Sequence, residues 1–295
     1  MSSIIQSLED LSNKYTTLFV DLWGCLHDGY TPFEEAVIAL QKYRSNGLGS
    51  VVLLTNSPRP RNSVERQLDK IGVPKDCWDT IATSGDSARA AMFDGVVNEK
   101  VFHLGPEHDL SFFKRMDLLK NARPIELVSK EKAEGVVCTG PFDDANDHPN
   151  DYIQLFSKFI DKKLKLLCAN PDIVVDRGQK RVYCAGALAK LYTKMGGESL
   201  YFGKPHRPIY DLAYKRMSEI NIKISKENIL CIGDGILTDI KGANDEKLNS
   251  LFITGGLAAE ETKTISQPDK MLSLIHISEP TRLRRISYAV FCVKK

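Results

Sequence analysis

Four short runs place a reactive side chain just past an apolar, β-prone stretch. Asp21 follows "TTLFV", Thr55 closes "GSVVLLT", Lys204 follows "SLYFG", and Asp234 and Asp239 follow "ENILCIG". Taken singly, each has an ordinary structural use. A carboxylate after a strand caps a turn or a helix, a hydroxyl ends a strand, and a lysine is solvated. Their order along the chain is what points to chemistry. A carboxylate, a hydroxyl, a lysine and an acidic pair suit phosphoryl transfer to a carboxylate, with Asp21 attacking phosphorus. Lys204 and the Thr55 hydroxyl would offset charge on the nucleophile and the equatorial oxygens. Mg²⁺ takes oxygen ligands in an octahedron and keeps several waters. Asp21, the backbone carbonyl of Trp23 and Asp234 would supply the protein share, with Asp239 as a further ligand or as a support for one.

In this order the chain resembles the haloacid dehalogenase superfamily. "DLWGCLHDG" looks like its first motif, "LLTNS" its second, "GKP" its third and "GDGILTD" its fourth. The long stretch between the second and third marks class II. The pieces "TNS", "NPD", "GKPHRPIYDLA" and "GDGILTDIKGA" look like class IIA, and "WG" with "HDG" points to a subgroup with Trp in the first motif. The resemblance covers about residues 15 to 271. It implies a doubly wound, mostly parallel Rossmann-like α/β core with an inserted α/β cap domain. It also implies Mg²⁺ as cofactor and a small phosphorylated metabolite as substrate.

One position departs from the family. Its phosphatases carry Asp two residues after the nucleophile, to protonate the leaving alkoxide and activate water; here that residue is Trp23. Such acid–base help contributes about 10²–10⁴-fold, and an indole N–H donates without titrating. His27 and Asp28 lie nearby, but Asp28-Gly29 favours a turn and we read both residues as structural. A leaving group of low pKa would not need the acid.

Other residues carry milder expectations. Asn56 and Ser57 continue the second motif and would present backbone N–H groups to phosphate, or simply form a turn. Asn170 and Asp172 in "NPD" would reach the substrate from the inserted domain, against a plain Asx turn. Arg207 would clamp an anionic substrate, although it and His206 also suit a solvated loop. Cys25 reads as a packing residue. His103 and His108 in "HLGPEHD" do not have metal-ligand spacing.

Short β-branched runs alternate with longer helical periods throughout, the pattern of an α/β fold. In an open parallel sheet the four reactive loops would share the carboxyl edge, where ligands bind. About 145 residues separate the second from the third, too many for an ordinary connection, so an inserted domain is expected. We place the core at residues 1–105 and 186–271 and the inserted domain at 106–185. Asn150 and Asp151 are cap candidates in the polar run "PFDDANDHPNDY", and a hairpin is expected around Arg177-Gly178.

Residues 272–295, "LSLIHISEPTRLRRISYAVFCVKK", resemble a translated sequencing adapter, and we set them aside. The natural C-terminal end is then expected to be missing. The chain's formal charge is +2, from 40 basic and 38 acidic residues; without the segment 35 and 37 remain, a charge of −2. That balance gives no reason to expect nucleic acid. No apolar run reaches the length of a membrane span and no signal peptide is evident. Seven scattered cysteines with no C-x-x-C fit reduced thiols and a cytoplasmic location. Homo-oligomers through the cap are a further expectation. Two other functions stay open: a non-catalytic metal- and phosphate-binding regulator that has lost its acid, or a different hydrolytic chemistry on the same nucleophile.

Overall fold

The computed structural model describes residues 3–5, 7–45, 47, 49–114, 122–177, 180–222, 225–253 and 288–291. Its strands, in chain order, are β1 (Ser3–Ile5), β2 (Thr17–Val20), β3 (Ser50–Thr55), β4 (Thr80–Thr83), β5 (Lys100–Leu104), β6 (Glu126–Leu127) and β7 (Gly135–Cys138). They continue with β8 (Lys165–Cys168), β9 (Val174–Arg177), β10 (Lys180–Tyr183), β11 (Glu198–Tyr201), β12 (Ile229–Gly233), β13 (Asn249–Ile253) and β14 (Tyr288–Phe291). The fold is α/β, and the residues divide into two compact units.

The first unit comprises residues 1–55, 66–82 and 210–295. Its strands belong to a sheet of order β1-β14-β13-β12-β2-β3-β4. Strands β12, β2 and β3 run parallel, with Val20 level with Ile232 on one side and Leu53 on the other. All four residues of β2 and all five of β12 are buried. That is why these runs are continuously apolar: helices cover a parallel sheet on both faces. Helix Glu34–Ser45 turns Val37, Leu40 and Tyr43 inward. Burying such a side chain is worth about 1.5–3 kcal/mol. The Tyr43 hydroxyl keeps a partner by donating to the Tyr15 carbonyl at 2.7 Å.

The second unit comprises residues 56–65 and 83–209. Its five-stranded sheet has the order β11-β8-β7-β5-β6, with parallel neighbours. Alternation along each strand feeds two cores. Val136, Cys138, Leu166 and Cys168 pack with Phe156, Phe159 and Tyr192. Val137, Leu167 and Ala169 pack with Ala88, Met92 and Phe93 on the opposite face. The expected hairpin is present as the antiparallel pair β9–β10, with its turn outside the described residues.

Three sequence expectations need correction. The units do not follow the expected limits of 106–185, since β5 and β11 both belong to the second sheet. Both sheets are built from the same short apolar runs, so composition does not mark where the chain changes sheet. For the same reason the four reactive loops do not share one edge, because Lys204 follows β11. Finally, His148 caps the turn Pro149–Tyr152, rather than Asn150 or Asp151. Its imidazole accepts from Asn150 N–H, and Asp151 completes a reciprocal capping pair.

Of the segment set aside above, residues 272–287 and 292–295 lie outside the described residues. The backbone of β14 pairs in parallel with β13 and β1. An unpaired sheet edge accepts any apolar, β-prone run, so this pairing speaks to composition and not to origin. No described helix is long and apolar enough to cross a membrane.

Candidate active site

In the first unit, strand register assembles the acidic residues. Asp21 directly follows β2, and its N–H donates to the Ile232 carbonyl at 2.9 Å. That bond carries the β2–β12 ladder one residue beyond Val20. Asp234 begins the loop after β12, so the two carboxylates emerge from adjacent strand ends. Thr55 ends β3 on the other side of β2, with 2% of its surface exposed. Asp21, Thr55 and Asp234 therefore share one carboxyl edge, as expected for a ligand-binding edge.

The ligand atoms of Asp21, Asp234 and Cys25 all lie within 4.8 Å of one another. Among the described residues this is the group whose donor types fit a divalent cation: two carboxylates, of the kind Mg²⁺ and Ca²⁺ take, and one sulfur. Cys25 is buried, as a packing residue would be, but its sulfur faces the two acids. Sequence spacing did not separate these roles. Gly24 makes the approach possible. It has φ +78, and a Cβ on it would lie 2.0 Å from the Asp234 carboxylate.

Asp239 stands outside that group. Its carboxylate turns back to accept from Gly235 N–H at 3.1 Å and from the Thr238 hydroxyl at 3.3 Å. It thereby braces the loop that carries Asp234, where the chain enters a π-helical turn, Ile236–Ile240.

Trp23 and its neighbours form a packed turn. The indole lies across Gly29, where a Cβ would meet the ring at 2.2 Å, and Gly29 has φ +95. The His27 ring meets the indole edge-on, with centroids 5.4 Å apart. His27 is 1% exposed. Its Nδ1 accepts the Gly29 N–H at 3.0 Å, which leaves Nε2 to carry the proton of the neutral ring. The Asp28 carboxylate accepts from Tyr30 N–H at 2.9 Å and Thr31 N–H at 2.8 Å. Partial burial pushes its pKa up, but the hydrogen bonds from Thr31 and Tyr30 outweigh that and hold it below the ordinary value. These are turn-forming roles for His27 and Asp28.

In the second unit a different set converges. Lys204 is 2% exposed, and its N–H donates to Asn56 Oδ1 at 2.6 Å. Asn56 Nδ2 donates to the Lys204 carbonyl at 3.0 Å and to Asp172 Oδ1 at 2.8 Å. Asn170 accepts the Asp172 N–H at 3.0 Å through its side-chain oxygen, an Asx turn. Asn56 and Lys204, both buried, and the partly buried Asp172 are thus one hydrogen-bonded cluster, although 116 and 148 residues separate Asn56 from the other two. Ser57 behaves as a turn residue: its Oγ accepts from Arg59 N–H at 3.3 Å and its carbonyl from Gly85 N–H at 2.9 Å. Arg207 is exposed and opens helix Arg207–Glu219. His206 is also exposed and stacks on Tyr201, with centroids 4.9 Å apart. His103 contacts the Thr139 hydroxyl at 3.0 Å, and burial pushes its pKa down to about 4.

Comparison with known proteins fits this arrangement. Residues 18–118 match the family model of haloacid dehalogenase-like hydrolases, and residues 201–275 match a second model, described as HAD-hydrolase-like. A hydrolase of the haloacid dehalogenase-like family from Brucella suis 1330 is 42% identical. That alignment covers 87% of this chain and 91% of the relative, with a TM-score of 0.81. A glycerol phosphate phosphatase from Mycobacterium tuberculosis, solved with magnesium, is 20% identical over 88% of this chain and 73% of its own, with a TM-score of 0.62. A 4-nitrophenylphosphatase from Thermotoga maritima is 17% identical over 95% of both chains, with a TM-score of 0.65. At those identities the two phosphatases share the fold. Curated proteins give no match. With its reactive residues at strand ends and a relative this similar along nearly its whole length, the chain belongs to the haloacid dehalogenase-like hydrolase family.

Proposed function

We propose that this protein is a Mg²⁺-dependent, class IIA hydrolase that removes phosphate from a small phosphorylated metabolite through an aspartyl-phosphate on Asp21. The observation that carries the reading is the approach of Asp21 and Asp234 at one sheet edge. The phosphatases sharing the fold support the substrate class.

In this reading a carboxylate oxygen of Asp21 bonds to phosphorus while the bond to the leaving oxygen breaks, and that oxygen keeps the electron pair. Water then attacks the same phosphorus, loses a proton to solvent, and releases orthophosphate and free Asp21. Lys204 and Thr55 offset the phosphoryl charge. Asn56 and Asp172 fix the Lys204 backbone, and Arg207 and the Ser57 N–H serve the substrate's anionic groups. Asp21, Asp234 and the Trp23 carbonyl hold Mg²⁺, which when bound draws charge from the phosphoryl oxygens. Asp239 keeps Asp234 in place.

Trp23 neither gives nor takes a proton, and the turn engages both His27 and Asp28. The substrate class therefore narrows to acyl and aryl phosphates, whose leaving groups depart as stable anions. A panel of aryl, acyl and sugar phosphates with Mg²⁺ tests this. Turnover should fall in the order acyl, aryl, sugar phosphate, and Asp21→Asn should abolish it. Full activity in Asp21→Asn would remove the nucleophile. The packed indole also favours a second reading, a metal- and phosphate-binding regulator without turnover. It would gain if no phosphate ester is cleaved while a fluoride phosphate mimic still binds with Mg²⁺.

A further inference from the structure

Cys25 is the unexpected member of the acidic group. It is 8% exposed, and its turn is fixed by the Leu22 carbonyl, which accepts from Cys25, Leu26 and His27 N–H at 3.4, 2.8 and 3.1 Å. The sulfur is therefore held near the acids, within 4.8 Å of ligand oxygens on both Asp21 and Asp234. An all-oxygen set suits Mg²⁺. Adding a thiolate suits softer ions, which bind sulfur at about 2.3 Å and carboxylate oxygen at about 2.0–2.2 Å. Closing three side chains from their present spacing onto one such ion needs a movement of about an ångström.

We propose that Cys25 is a ligand for a thiophilic divalent cation. Zn²⁺ or Cd²⁺ binds Asp21, Cys25 and Asp234 together and competes with the hard ion for the two carboxylates. The inference rests on the carboxylate pair used in the functional reading above. On binding, the Cys25 thiol gives its proton to solvent as the metal–sulfur bond forms; nothing is oxidised or reduced. Because the soft ion then occupies the two carboxylates that would hold Mg²⁺, it displaces the hard ion and acts as an inhibitor, with the thiol as its sensor.

The test is a Cd²⁺ titration of the full chain at neutral pH, followed through the ultraviolet sulfur-to-cadmium charge-transfer band. A saturable band is expected, moved to higher Cd²⁺ concentration by excess Mg²⁺. It should vanish in Cys25→Ser and Cys25→Ala and persist in Cys231→Ser. Zn²⁺ affinity should fall about 10- to 100-fold in Cys25→Ser. Unfolding curves for both Cys25 variants separate loss of a ligand from loss of fold. No band in the parent chain, or a band that survives in a folded Cys25 variant, overturns the proposal. Calorimetry with Mg²⁺ alone separates the two readings. Mg²⁺ binding without a cadmium–sulfur band removes the sulfur ligand and leaves the metal site. Binding of neither ion removes both.

Discussion

The Asn56 side chain bonds both backbone groups of Lys204: the Lys204 N–H donates to Asn56 Oδ1 at 2.6 Å, and Asn56 Nδ2 donates to the Lys204 carbonyl at 3.0 Å. One amide side chain thus satisfies the donor and the acceptor of a buried lysine's backbone. Asn56→Ala leaves both backbone groups, and Asp172, without these bonds. A loss of about 2–4 kcal/mol is expected, read as a lower urea midpoint with an unchanged slope. Asn56→Asp keeps the acceptor but loses the donor, and should be the worse variant because it adds a buried charge beside Asp172. Parent-like stability in Asn56→Asp would mean the amide donor contributes nothing.

Gly24→Ala should strike the acidic pair directly. The new methyl would lie 2.0 Å from Asp234 Oδ2, on a residue with φ +78. Strain at such a backbone conformation costs about 1–3 kcal/mol. The carboxylate must also move, so Mg²⁺ affinity measured by calorimetry should drop more than tenfold in a chain that still folds. Unchanged affinity would show that Asp234 binds from elsewhere.

Trp23→Asp places a titratable group two residues after the proposed nucleophile. Turnover of alkyl phosphates should rise relative to aryl phosphates, approaching the ~10²-fold that acid–base help supplies. The packing of the indole on Gly29 and His27 is lost at the same time, so the melting temperature should fall. A drop in stability with no change in the alkyl-to-aryl ratio would show that residue 23 does not face the leaving group.

Acid should weaken the second unit in a defined window. The pKa of His103 is pushed from 6.5 to about 4 by burial. The unfolded chain therefore binds a proton first, and stability is lost as pH falls from about 6.5 to about 4, then levels. Asp109 acts in the opposite sense. Burial raises its pKa despite His108 nearby, so its cost is felt once it ionises and is relieved as pH falls. His103→Asn should flatten the loss between pH 6.5 and 4, as followed by urea unfolding across that range. An unchanged slope would assign the acid response to other groups.

Much of this was legible because the physical signals are local. Fully buried parallel strands must be apolar along their whole length, so β2, β3 and β12 stand out, and the polar residue ending each is conspicuous. Asp21, Thr55 and Asp234 follow from that alone. The membership of β5 and β11 in the second sheet did not, since a strand's sequence records that it is buried and not beside which neighbour. The Asn56–Asp172–Lys204 cluster was hidden for a related reason: its hydrogen bonds span more than a hundred residues, and each partner alone resembles a turn former. Cys25 is buried, as a packing residue would be, but its nearness to the two acids was hidden, because spacing alone does not show which side chains the fold brings together. His148 escaped because an imidazole is an uncommon helix cap.

The indole resting on Gly29 also limits how this loop can change. At residue 23 an anchor stands where a proton carrier would be, and the turn at 27–29 has been fitted around it. A single substitution that installs a carrier withdraws the anchor, and Gly29, at φ +95, has no side chain to fill the space. Placing a proton donor at residue 23 without loosening the turn therefore takes coordinated changes at Trp23 and around Gly29.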